Sequence, residues 1–90
     1  MTPDTAPRFA PGMKLREDKA RGQWVVMGPE RMFVPDETAL EILRLVDGAR
    51  SIAAIVDDLL TRYDAPRALV EGDVLALFAD LRDRGVVTGG

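Results

Sequence analysis

The hydrophobic pattern of this chain changes period once, at Pro35-Asp36. Before that point short β-prone clusters alternate with turns; after it, apolar residues recur at helical spacing. Ninety residues with one such change restrict the chain to a single domain in which strands come first and helices follow.

The strand half is read from residues 13–34. Leu15 sits in a short polar run. Gln23–Met27 contains Trp24, Val25 and Val26, all β-prone. Arg21-Gly22 turns the chain before this segment and Gly28-Pro29-Glu30 turns it afterwards. Arg31–Val34 is then a third short strand, paired with 23–27 as a hairpin. In it Met32 and Val34 share one face, and Arg31 and Phe33 the other.

The helical half opens at Asp36, the expected N-cap. Ala39, Leu40, Ile42, Leu43, Leu45 and Val46 wrap most of the first helix, with Gly48 as its expected stop. Ser51 caps a second helix, whose residues Ile52, Ile55, Val56, Leu59, Leu60 and Tyr63 form one stripe. Ala65-Pro66 breaks that helix. A third runs from about residue 66 to 84, with Val70, Val74, Leu77, Phe78 and Leu81 as its core stripe, and Gly85 stops it. The expected fold is α+β: three short N-terminal strands followed by a three-helix bundle, in a winged helix-turn-helix-like arrangement. Residues 1–12, with Pro3, Pro7 and Pro11, read as a flexible tail or linker, so the folded domain is expected over 13–90.

Composition narrows the function. The chain has no Cys and no His, which removes thiolate and imidazole chemistry and the usual zinc and haem ligands. Ser51 has no base beside it and is better used as a cap. Adjacent helical residues diverge by about 100°, so Asp57-Asp58 makes no metal site. No enzyme activity, cofactor or metal is expected. Residues 1–12 lack an apolar run, and no segment approaches the roughly 20 residues of a membrane span; a cytoplasmic protein is expected. Charge is uneven: residues 1–35 carry six bases and four acids, residues 36–90 six bases and eleven acids.

Two surfaces stand out as binding candidates. The strand Arg31–Val34 (Arg31, Met32, Phe33, Val34), if it lies at a sheet edge, offers unpaired backbone groups to an extended peptide. On the third helix Leu75 falls outside the core arc, Phe78 lies at the arc's edge, and Glu71 and Arg82 border Leu75 on the helical wheel. Leu75, Phe78 and Arg82 are therefore expected to form an apolar strip with a charged margin, facing the strand.

Several motifs match a known family. Met13-Lys14-Leu15-Arg16, then Trp24-Val25-Val26-Met27 with Gly28-Pro29-Glu30, resemble the opening of the pyrroloquinoline quinone biosynthesis protein D family. The most specific match runs from Asp36-Glu37-Thr38-Ala39 through Ile42-Leu43-Arg44-Leu45-Val46-Asp47-Gly48. Ser51-Ile52, Ile55, Tyr63, Val70, Asp73-Val74, Phe78 and Leu81 continue it, so the resemblance spans residues 13–88. Two positions depart: Pro35-Asp36 stands where the family often has Leu-Asn, and Ala54 where many relatives have Glu. The second leaves the capping box of the second helix incomplete.

The resemblance implies binding of the ribosomally made precursor peptide, PqqA, and its presentation to a radical S-adenosylmethionine enzyme, PqqE, which crosslinks a Glu and a Tyr. It implies that the peptide adds to the third strand beside the third helix. It also implies that a fusion behind the quinone-forming oxidase, PqqC, is possible. Two other functions compete. A carrier of the finished quinone would use Arg31 or Arg82 on its carboxylates. A DNA-binding winged helix would need a basic third helix, yet residues 66–85 hold three Arg against four acids, which disfavours contact with phosphate.

Overall fold

A computed structural model describes residues 1–89. Its elements are β1 (Arg8–Phe9), β2 (Lys14–Asp18), β3 (Gln23–Met27), β4 (Met32–Phe33), α1 (Glu37–Leu43), α2 (Ile52–Leu60), α3 (Arg67–Asp83) and β5 (Val87–Thr88). The fold is α+β, with N-terminal strands followed by three helices. Two of the five strands, β1 and β5, were not expected from the sequence.

β2, β3 and β4 form an antiparallel meander in that spatial order. Leu15, Val26 and Phe33 sit opposite one another across it, so one row points to one face. That row packs against the core, where Ile42, Leu43, Ile55, Val56, Phe78 and Leu81 of the three helices meet.

The caps hold as the sequence implies. Asp36 Oδ1 accepts the Ala39 N–H at 2.8 Å and Ser51 Oγ the Ala54 N–H at 3.1 Å. α1 stops at Leu43, short of Gly48: the Leu45 and Val46 amides bond three residues back, to Ile42 and Leu43, and the Asp47 carboxylate then organises a turn by accepting the Arg50 and Ala49 amides at 2.7 and 3.0 Å. Those two amides also hold the Asp47 carboxyl below its ordinary titration range. α3 ends in a Schellman motif: the Val86 N–H bonds to the Leu81 carbonyl and the Gly85 N–H to the Arg82 carbonyl. Gly85 has φ +77°, a left-handed conformation that favours glycine, and the Arg31 guanidinium lies against it.

The N-terminal segment corrects an expectation. Residues 1–12 are not a free tail but part of the domain. β1 pairs with β5, Arg8 opposite Thr88 and Phe9 opposite Val87. Pro7 is fully buried. The carbonyls of Thr5 and Pro3 accept the Ile52 and Ala53 amides at 2.8 and 2.9 Å. An α-helix leaves its first amides without internal partners; here the N-terminal segment and Ser51 together satisfy those of α2.

Candidate functional site

β4 is an edge strand of the three-stranded sheet. The Gly28 N–H donates to the Arg31 carbonyl at 2.9 Å. In an antiparallel pair, alternate residues turn their backbone groups toward the partner. Arg31 and Phe33 therefore face β3, and Met32 and Val34 turn their N–H and C=O groups away from it, to the open edge. The side chains divide the same way: Phe33 packs against the core, whereas Met32 and Val34 are exposed.

α3 runs beside this edge. Arg31 fixes the distance at one end, its Nη1 donating to the Arg84 carbonyl at 2.7 Å. The contact is a tether for the helix C-terminus, a role the sequence did not disclose. A depression here is lined by Glu30, Arg31, Met32, Phe33, Arg84 and Val86. At the other end of α3 a mostly apolar groove of 270 Å³ opens between Thr38, Ile42, Leu59, Tyr63, Leu69, Val70 and Val74, with Asp73 at its side. Asp73 to Arg84 spans roughly 16 Å along the helix at about 1.5 Å per residue. Phe33 to Thr38 covers up to roughly 16 Å of extended chain. α3 thus borders both depressions, the first shared with β4 and the second with α1 and α2, and we call the two together the seam.

Ion pairs frame the groove. Arg62 bridges α1 and α2, reaching Glu41 at 2.8 Å and Asp58 at 2.7 Å, and the Tyr63 hydroxyl donates to the other oxygen of Glu41. The Tyr63 contact first, and Arg62 second, hold the Glu41 carboxyl below its ordinary range; the same carboxylate pushes the Tyr63 phenol up. Asp57 and Asp58 part as expected, Asp57 to Arg67 and Asp58 to Arg62. Among the described residues no group of three or more His, Cys, Asp or Glu is arranged to hold a metal ion, and no helix is long and apolar enough to cross a membrane.

The structure divides the expected site residues. Arg31, Met32, Phe33 and Val34 come together at the edge as the sequence suggested. Phe78 does not present a surface: it is fully buried in the core, because the helices close over the edge of its stripe. Leu75 is half-buried against the core, not an exposed strip, and lies about 160° around the helix from Asp73, away from the seam. Arg82 is exposed, on the same far flank as Leu75. The large apolar residue that α3 does expose is Leu69, 58% accessible and in the groove. The helical wheel carried that signal, since Leu69 also falls outside the core arc. Tyr63, assigned to the core by its place in the α2 stripe, is instead half exposed on the groove's rim.

Comparison with known proteins places this arrangement. A "PqqA binding protein" of Rhodopseudomonas palustris (strain BisB5) is 51% identical over 82 residues, 91% of this chain and 78% of that protein. The NMR structure of the PqqD truncation of Methylobacterium extorquens PqqCD is described as a stand-alone recognition element for ribosomally synthesized and post-translationally modified peptides. It superposes with a TM-score of 0.80 at 35% identity, covering 98% of this chain and 94% of that one. Lasso peptide synthetase B1, solved in complex with a leader peptide, gives a TM-score of 0.73 at 26% identity over 92% of this chain and 98% of that one. The sequence model of coenzyme PQQ synthesis protein D matches residues 23–87, which carry β3, β4, all three helices and the seam between them: the chain belongs to the PqqD family.

Proposed function

We propose that this chain is a non-catalytic carrier that binds the precursor peptide PqqA along the open edge of β4 and presents it to the radical S-adenosylmethionine enzyme PqqE. One observation carries the reading: the outward backbone groups of Met32 and Val34 lie on an open sheet edge that meets the C-terminal end of α3, the helix whose other end lines an apolar groove. An added strand satisfies those backbone groups whatever the peptide sequence, and pockets beside it select side chains. A neighbour of similar fold was solved with a leader peptide, which supports peptide binding by this fold.

On this reading the domain is winged-helix-like, with α2 and α3 as the helix-turn-helix pair and the sheet as the wing. Selection falls to Leu69, Val70 and Tyr63, while Phe78 supports the seam from beneath. The protein works in the cytoplasm, where a peptide made on ribosomes is available. Its relation to a PqqC-type partner is either separate or fused; a fused form exists in the Methylobacterium extorquens relative.

Calorimetry with synthetic PqqA, read beside the finished quinone, tests the assignment. Saturable binding of the peptide and none of the quinone is the expected result. The reverse pattern would make the chain a carrier of product.

A further inference from the structure

The groove between α1, α2 and α3 is apolar at its floor and acidic at its rim. Ile42, Leu59 and Val74 are buried beneath it, and Leu69 and Tyr63 stand exposed at its edge. Among the described residues the charged side chains that line it are Glu41 and Asp73, both acids. The two oxygens of Glu41 are already taken, one by Arg62 and one by Tyr63. Asp73 is exposed and joins no salt bridge among the described residues. The bases near it in the chain are committed elsewhere: Arg62 to Glu41 and Asp58, Arg67 to Asp57 and Glu71. The groove thus sets one unneutralised carboxylate beside apolar surface, and the cation that complements it comes from a ligand.

Size and spacing narrow that ligand. At 270 Å³ the groove is smaller than the roughly 300–1,000 Å³ of small-molecule pockets, and it suits one or two side chains. A quinone bearing carboxylates would meet like charge here. Leu69 and Asp73 are four residues apart on α3, so their Cβ atoms lie about 5–6 Å from each other on one face. An extended peptide places residues two apart on one side, about 7 Å from each other. An apolar side chain and a Lys or Arg two positions from it therefore reach the groove and Asp73 together.

We propose that the groove reads one element of the precursor peptide, an apolar residue with a basic residue two positions away. The apolar side chain enters among Leu69, Val70 and Tyr63, and the Lys or Arg pairs with Asp73. The proposal rests on the carrier reading and adds what the β4 edge does not supply. Backbone pairing accepts any sequence, whereas an apolar contact and a charge contact at fixed spacing select one. They also select a register, because a slip of one residue turns both side chains to the opposite side of the extended peptide. Asp73 is then a specificity-determining residue, and the groove fixes which stretch of the peptide lies along α3.

Calorimetry of the full chain with synthetic PqqA, at low and at moderate salt, tests the proposal. Asp73→Asn is nearly isosteric at an exposed position and should keep the parent's melting temperature. Its affinity for PqqA should fall about fivefold, with a shallower dependence on salt. Asp83→Asn removes another exposed acid of α3, outside the groove, and should bind PqqA as the parent does. Each Lys and Arg of PqqA is then replaced singly by Gln. One replacement should weaken binding to the parent and cost nothing further against Asp73→Asn, the signature of a direct pair. Changing that same peptide residue to Glu should recover affinity for Asp73→Lys. A folded Asp73→Asn that binds PqqA as tightly as the parent overturns the proposal. An equal loss in Asp83→Asn also overturns it, by tracing the effect to the general field of the acidic helices. So does a loss that no single basic residue of the peptide accounts for. If the parent itself fails to bind PqqA, the carrier reading fails, and that first titration separates the two failures.

Discussion

Single residues on α3 separate folding from binding. Phe78 is fully buried at the centre of the core. Phe78→Ala should cost about 3–5 kcal/mol, a large share of what a domain of this size has, and abolish peptide binding only through unfolding. Leu75 is half-buried, so Leu75→Ala should cost about 1–2 kcal/mol and leave PqqA affinity unchanged. Leu69 is largely exposed and lines the groove. Leu69→Ala should leave the melting temperature in place and weaken PqqA binding about tenfold. Thermal unfolding and calorimetry on the three variants check this order. Weakened binding by Leu75→Ala with Leu69→Ala silent would move the peptide to the far flank of the helix. The same helical wheel that singled out Leu75 applied to Leu69. It could not rank them, because a wheel assumes one packed side, and α3 is packed on more than one.

At the scale of elements, the termini hold the helices together. The first twelve residues supply β1, the buried Pro7 and two carbonyls that cap α2. A chain beginning at Met13 should lose about 2 kcal/mol or more from the caps and the lost burial, or about 10 °C in melting temperature. A truncated protein that melts with the parent would show that this packing contributes nothing. Three prolines and no periodicity hid the segment in the sequence. Its order depends on pairing Arg8 with Thr88, a contact between the two ends of the chain that no local pattern records. The caps at Asp36 and Ser51, by contrast, were legible because their partners lie three residues away. The link between α1 and α2 carries a pH signature. The Glu41 carboxyl titrates below its ordinary range, chiefly because Tyr63 donates to it. Its contribution is therefore fully present above the ordinary carboxyl range and is lost as pH falls through the depressed value. The Tyr63 phenol is raised, so its share is present below the ordinary phenol range and lost as pH rises through the raised value. The stability difference between the parent and Tyr63→Phe should be present at neutral pH and shrink toward acid. A difference that stays constant down to acid would exclude the contact as its source.

For the whole molecule, the sequence carried the order of strands and helices, the edge at residues 31–34 and the family motifs, because each rests on local spacing. It did not carry the seam, whose walls come from residues 30–42 and 59–86 and meet only in the folded chain. Arg31, expected to contact ligand, also ties β4 to the C-terminal end of α3. The central claim is that PqqA completes the sheet at β4. Amide hydrogen exchange on the full chain, free and saturated with PqqA, tests it most directly. Met32 and Val34, whose amides face the open edge, should gain protection in the complex. Arg31 and Phe33, already turned toward β3, should change little. Unchanged exchange at Met32 and Val34 in a saturated complex would contradict strand addition and place the peptide elsewhere.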